Sequence, residues 1–503
     1  MEEKRRPSNG NQMNAAKRKA ARRKRKQRLL IIKSVILVLL LCVLGVGIFA
    51  IAGGFNKKKP QNSGGTITAD NSSSTSGTSA SSVTVQPQDA KTVKMAEAQT
   101  LAVQYDYDGA MAKLGEIENA DQDADVITKM AEYQAAKSSL VAWDPVKVTH
   151  VFYHSLVVDP AKGFSLTGDD GWDNATKGWC QWMTTVEEFN RINDQMYANG
   201  YVLVALSDLY TETTDENGTV HITTNQIMLP EGKKPFVLSL DDLCYYHSYN
   251  GRGTATRMIV GDDGKPTCEY VDENGQTQVG AYDCVPLLDQ FIETHPDFSY
   301  KGAKGTIALT GYNGILGYRT DGVYQTRNPE DLDRDQSEWL AANPNFNYDN
   351  DVAEAKKVAE AIKADGWTFA SHTWGHIKIG DASMESLQSD TQKWLTYVEP
   401  LVGDTDVIIF AHGQDLANWN EDYASTAKFQ YLKSQGFNVY CNVDSSQYYV
   451  ESGDLYFRMG RRNLDGYRMY HSKFDNDGKI ADLFDVNAVW DDRRPTDASL
   501  YTI

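Results

Sequence analysis

Phe236-Val-Leu-Ser-Leu-Asp-Asp242 constrains this chain more than any other stretch. An apolar run of strand length that ends on two adjacent carboxylates has to bury its body and leave both charges at its mouth. Side chains alternate faces along a strand, so Asp241 and Asp242 point different ways, and one can bind a cation while the other accepts a proton. A second cluster supplies further ligands. Trp367-Thr-Phe-Ala370 reads as another short strand and runs into Ser371-His372-Thr-Trp-Gly-His376, where two imidazoles four residues apart stack on one face of a turn. Two His and one Asp, with a second Asp beside them, form a three-ligand cation site with an open position and a neighbouring base. That is the layout of hydrolytic metal chemistry.

These paired motifs resemble those of the polysaccharide deacetylases, carbohydrate esterase family four, which carry Thr-Phe-Asp-Asp-Gly and His-Ser/Thr-x-x-His. Here the first reads Ser239-Leu-Asp-Asp-Leu243 and keeps both carboxylates while differing elsewhere; the second, His372-Thr-Trp-Gly-His376, matches throughout. Phe152-Tyr-His154, Glu188-Phe189 and Asn199-Gly-Tyr201 resemble the lead-in of membrane-anchored bacterial members, and the likeness extends across residues 147–475. It implies an α/β fold with a distorted, incomplete (β/α) barrel. It also implies a divalent metal, Zn²⁺ before others, on Asp242, His372 and His376, with Asp241 as the base. A late His would be the proton donor, either His471 in Arg468-Met-Tyr-His471 or His412. The implied reaction is removal of N-acetyl groups, or of O-acetyl groups, from an extracellular cell-envelope polysaccharide.

One motif diverges. Where the family has an Arg-Pro-Pro-Tyr-like segment whose Arg orients the catalytic Asp, this chain reads Phe410-Ala-His-Gly413, so Arg458, Arg461 or Arg462 must supply that arginine or it is missing. Trp374 and Tyr245 are candidates to stack on sugar rings, with core or rim packing as the competing role. The alternative to an enzyme is a deacetylase-like glycan-binding or scaffold module without catalysis. A module freed from chemistry has no need of Asp241 beside an intact triad, which favours the enzyme.

The chain ahead of this region is segmented. Residues 1–28 hold twelve Lys or Arg against Glu2 and Glu3, and residues 29–52 are apolar except for Lys33 and Ser34. About 20 such residues span a bilayer, and Lys33 can snorkel to the headgroups. The basic flank then reads as a positive-inside signal, giving a single-pass protein of the cell membrane with its N-terminus cytoplasmic and its catalytic bulk outside. A cleaved signal peptide is the competing reading, because Ala50-Ile-Ala52 mimics a cleavage site, although the apolar run is longer than a usual signal core.

The whole chain carries −18, and removing the basic tail leaves −28, a charge that repels nucleic acid. The expected partners are therefore a glycan and the membrane, with no nucleic acid. Of six cysteines Cys42 falls in the apolar run; a disulfide between Cys268 and Cys284 suits an oxidising exterior, though spacing does not fix connectivity. Residues 53–90, rich in Ser, Thr and Gly, read as a linker. Residues 91–141 read as a helical spacer. Its Tyr105-Asp-Tyr-Asp108 phrase resembles one tetratricopeptide unit, too little to bury both of its own faces.

From Lys147 the pattern alternates β-like and helix-like segments, as a barrel requires. Thr185-Val-Glu-Glu188 is a capping box for a helix with Phe189, Ile192 and Met196 on one face. Residues 249–284 read as an inserted hairpin, 318–350 as a long loop, and 476–503 as a C-terminal extension. In a parallel barrel the chemistry sits at the C-terminal strand ends, and Asp241, Asp242, His372, His376 and His412 all fall there. His150, His154, His221, His247 and His295 read as structural or exposed, with His154 able to face the cleft.

Overall fold

The computed structural model describes residues 89–165, 174–418 and 421–503. The basic tail, the apolar run at 29–52 and all but the last two residues of the linker lie outside them. Among the described residues no helix is long and apolar enough to cross a membrane.

Seven parallel strands follow one another around a closed ring: β1 (Thr149–Tyr153), β2 (Lys234–Asp241), β3 (Thr306–Leu309), β4 (Thr368–Ser371), β5 (Val407–Ile409), β6 (Val439–Val443) and β7 (Tyr456–Asn463). The circle closes where Arg462 and Asn463 pair with Val151 and Phe152. It is one strand short of the usual eight, so the expected incomplete barrel is incomplete in number but has no gap. A further strand, Tyr201–Leu203, pairs with the first half of β2 and hands over to β3 at Ser239.

Alternation along the strands separates an inner core from outer ones, the outward Ile408 and Tyr440 packing with Phe429 and Leu432 in a cluster of their own. Val237, Ala308, Ala370, Ile409, Val439, Cys441, Phe457 and Met459 face inward and pack as one cluster. Leu238, Leu240, Ile307, Leu309 and Phe369, of opposite parity, pack outward against the helices. The helices are α1 (Val186–Ala198), started by the expected capping box, α2 (Cys284–Thr294), α3 (Tyr348–Ala364), α4 (Met384–Tyr397), α5 (Ala427–Gln435) and α6 (Gly466–Phe474). The crossover from β6 to β7 carries no helix. It runs through a loop and the short strand Val450–Gly453, antiparallel to β7.

Several sequence expectations change. The segment 249–284 is a three-stranded meander rather than one hairpin, and 318–350 contains two helices, Gly322–Thr326 and Arg334–Ala342. Residues 476–503 do not extend from the barrel but pack into it. Val489, Trp490, Leu500 and Tyr501 are buried in the outer core, and the fully buried Arg494 forks onto Glu188, with Nε–Oε1 2.6 Å and Nη2–Oε2 2.7 Å. No disulfide joins Cys268 to Cys284: all five described cysteines are free and buried, and the Cys268 thiol faces the Met258 sulfur at 3.4 Å. The spacer forms three helices, Ala90–Val103, Tyr107–Gly115 and Ala124–Ser138, around their own small core. It docks through Tyr105, which stacks on Tyr300 and donates its hydroxyl to the Asp297 carbonyl at 2.8 Å.

Candidate metal centre

The barrel interior becomes polar toward its C-terminal end. The His150 ring meets the Ser239 hydroxyl at 3.0 Å. Above them Arg461, fully buried, donates from Nη1 to Ser239 Oγ at 3.0 Å and forks onto Asp241, Nη1–Oδ1 2.7 Å and Nη2–Oδ2 2.9 Å. Its guanidinium also lies 4.1 Å from the centroid of the Phe152 ring, a cation–π contact made without water. Of the three arginines open to the role in sequence, Arg461 is therefore the one on Asp241. Arg458 pairs with Asp415 and Glu451, and Arg462 with Asp482.

The strand ends then turn sharply. Asp242 at φ 59°, Thr373 at 63°, His376 at 51° and His412 at 57° all occupy the left-handed region, which non-glycine residues adopt at a cost and which clusters at functional sites. The histidine loop is held by local bonds that offset this strain. Asp390 accepts from the backbone N–H of Trp374 and of Gly375, both at 2.7 Å, and Thr373 Oγ1 accepts from Ile377 N–H at 3.0 Å. Gly311 lies against the Trp374 indole, where a Cβ would come within 2.2 Å of a ring carbon.

The result is a convergent donor set: one ligand atom each from Asp242, His372 and His376 lies within 4.8 Å of the others. His372 donates Nδ1–H to the Ile409 carbonyl at 2.8 Å, which fixes its tautomer and leaves the Nε2 lone pair for a cation. Tyr246 donates to Asp242 Oδ1 at 2.7 Å and leaves Oδ2, which is 3.5 Å from His376 Nε2. Ligands about 2 Å from one ion in a tetrahedron lie roughly 3.3 Å apart, so this spacing fits a divalent cation. Asp241 Oδ2 stands 3.8 Å from His372 Nε2, beside the donor set and outside it.

Electrostatics agree with those roles. Burial would raise the Asp241 carboxyl, but the Arg461 guanidinium, then His372, outweigh it and hold the group well below the usual carboxylate range. Burial also opposes ionisation of Asp242, and His376, His372 and His154 together keep it low. Burial, against the opposite pull of Asp241 and Asp242, pushes His372 down to about 4. It is then a neutral imidazole at pH 7, the form that binds metal.

The other sequence candidates separate. His412 adjoins the centre: its ring lies 4.3 Å from that of His376 and its Nε2 donates to the His376 carbonyl at 3.0 Å. Burial, then His376, lowers it. His471 is turned away, with Nδ1 on the Asp475 carboxylate and Nε2 on the Tyr501 carbonyl, so both nitrogens are committed within α6 and the C-terminal segment. Tyr245 is not a stacking platform. It is buried, and its hydroxyl donates to Asp283 at 2.8 Å. Trp374 is half-buried and lies under Lys393, whose Nζ is 4.0 Å from the ring centroid.

His154, read from sequence as structural with the cleft open to it, acts electrostatically on both Asp241 and Asp242. Its Nδ1 meets the Trp182 carbonyl at 3.1 Å. The signal for it was its position one residue past β1, the same strand-end register as the other site residues.

No family model matches the chain, and no curated protein sequence matches it. Among solved structures, that of the Streptococcus pyogenes deacetylase PplD in complex with acetate aligns with 65% of this chain and 94% of its own, at 13% identity and a TM-score of 0.31. That likeness is too slight to bear on the chemistry of the site.

Proposed function

We propose that this chain is a metal-dependent hydrolase that removes N-acetyl groups from a cell-envelope polysaccharide, held at the membrane by residues 29–52 with its barrel outside. The observation supporting it most strongly is the convergence of Asp242, His372 and His376 at the barrel mouth, with the Arg461-forked Asp241 beside them. A divalent cation bound there, Zn²⁺ by the match of two imidazoles and a carboxylate, supplies a Lewis acid for the amide oxygen and lowers the pKa of water.

The chain's own residues supply the rest. The Asp241 carboxylate, kept ionised and fixed in orientation by the guanidinium fork, accepts the proton of the attacking water. His154 donates Nδ1–H to the Trp182 carbonyl, which leaves the Nε2 lone pair to take up a proton and pass it to the leaving nitrogen. His412 steadies the loop bearing His376. Tyr246 and the Ile409 carbonyl orient the Asp242 and His372 ligands.

Acetate release from N-acetylglucosamine oligomers tests this reading, measured with the wild type, with the wild type plus chelator, and with Asp241→Asn. Release in the first alone supports it. Equal release in all three overturns it.

A further inference from the structure

A second cavity opens on the outer wall of the barrel, between β6 and β7, because the crossover joining these two strands carries no covering helix. Its volume is about 460 Å³, within the ~300–1,000 Å³ of small-molecule sites. Loop 444–449 can lie across β7 only because residue 460 is glycine. A Cβ there would sit 2.5 Å from the Tyr449 ring and 2.6 Å from Asp444 Oδ1.

Three features define what the cavity can hold. Asn442, 8% exposed, lines it with an Oδ1 that is buried without a hydrogen-bond partner, an acceptor waiting for a donor. Among the described residues that line it, the one cation is already paired. Arg458 donates Nε to Asp415 at 3.0 Å, Nη1 to Glu451 at 3.0 Å and Nη2 to the Ala417 carbonyl at 2.9 Å, so its charge is already balanced by two carboxylates and does not favour an anion. At the rim Tyr448, 38% exposed, offers a ring face, and Asp444 adds another acceptor.

The cavity also adjoins the metal centre through the backbone. The Asn442 carbonyl accepts from Arg461 Nε at 3.3 Å, and Asp444 N–H donates to the Arg461 carbonyl at 3.3 Å. Asp415 and Ala417 belong to the loop that begins at His412.

Buried amide, carboxylate acceptors, one ring face and no spare cation together describe a site for vicinal hydroxyls. We infer that this cavity is a saccharide subsite taking a neutral sugar unit of the polymer whose acetyl group is cleaved at the metal centre. The inference rests on the glycan reading above and adds a second contact point to it. The Tyr448 ring stacks on one face of the sugar, and hydroxyls of the unit donate to Asn442 and Asp444.

The test is binding of a β-1,4-linked N-acetylglucosamine tetramer to the full-length chain with chelator present, followed by calorimetry, so that the readout needs no turnover. Tyr448→Ala and Asn442→Leu are each expected to weaken binding about tenfold. Tyr448 lies on the surface, so its variant tests the site without loading the core. No binding by wild type, or binding that Tyr448→Ala leaves within twofold, overturns the subsite even where acetate is released. Binding lost in the variants supports it even where no acetate is released, in which case the hydrolase reading alone fails.

Discussion

Replacing Arg461 with Met separates the positioning of the base from the rest of the site. Arg461 is fully buried and spends its nitrogens on Asp241, Ser239 and the Asn442 carbonyl. Methionine fills much of the volume but leaves the Asp241 carboxylate, 3% exposed, without its counter-charge. Breaking a buried pair by removing one partner costs about 3–5 kcal/mol, and that loss should appear in chemical denaturation at pH 7.5.

The sign of the pH dependence follows from the direction of the shift. In the wild type Asp241 is held below the usual carboxylate range, so its pairing contributes stability above the unfolded-state value of about 3.9 and loses it as pH falls. In Arg461→Met burial is opposed only by His372 and His154, the carboxyl moves up from its wild-type position, and the folded state gains its proton at a higher pH than in the wild type. The destabilisation should therefore be largest near pH 8 and shrink on acidification. Activity should fall about 10²–10³-fold at pH 7, with its acid limb displaced upward by more than one pH unit. Arg461→Lys should recover part of the stability but little of the rate, because an ammonium cannot fork. The double variant Asp241→Leu, Arg461→Met should regain stability while remaining inactive, since an apolar replacement of a whole buried pair is often neutral. An acid limb unmoved in Arg461→Met, with wild-type stability, would refute the role given to the fork.

Further outcomes follow from the same geometry. His376→Ala and His372→Ala should each lower bound zinc from about one ion per chain to none after dialysis, read by elemental analysis, and stoichiometric retention by both variants contradicts the donor set. His154→Ala should lower kcat by about 10²–10⁴, whereas His471→Ala should stay within threefold of wild type; the reverse order would restore His471 as proton donor. Burial pushes the Asp283 carboxyl up to about 6, above its unfolded value, so its contribution is present below about pH 4 and lost as pH rises through 6. The decline amounts to roughly 3 kcal/mol. Asp283→Asn keeps an acceptor for Tyr245 and should remove that slope, and a slope unchanged in the variant means another group carries it. Deleting residues 476–503 strips Arg494 from the buried Glu188, costing about 3–5 kcal/mol before lost apolar packing is added. The truncated chain should fail to give a cooperative unfolding transition.

The sequence made β2 and β4 legible because each is an apolar run broken abruptly by carboxylates or imidazoles. It hid β7. Tyr456-Phe-Arg-Met-Gly-Arg-Arg-Asn463 reads as polar, and nothing nearby shows that Asp415, Asp241 and Asp482, from three separate parts of the chain, will neutralise its arginines. Missing that strand meant missing how the ring closes and which arginine reaches the base. Tyr245 failed for a local reason. Left-handed turns at Asp242 and Tyr245 reverse the chain there, so Tyr245 points into the core and its neighbour Tyr246 reaches the Asp242 carboxylate. His471 failed with the domain boundary: its ring is held by the Tyr501 carbonyl, in the segment read as a mere extension.

The misses at β7 and His471 share one cause. Periodicity reports which side chains are apolar, and the groups that complete this site are charged residues buried by long-range partners. Arg461 is the clearest instance, because the same guanidinium closes a polar shaft through the barrel, cancels the charge of Asp241 and aims that carboxylate at the cation site. Stability and the orientation of Asp241 therefore meet on one side chain. The fork also holds the Asp241 carboxylate in one orientation from the strand that neighbours β1. β7 presents that guanidinium from inside the ring, and two parallel N–H donors on two carboxylate oxygens fix the plane of Asp241 as a single ammonium could not.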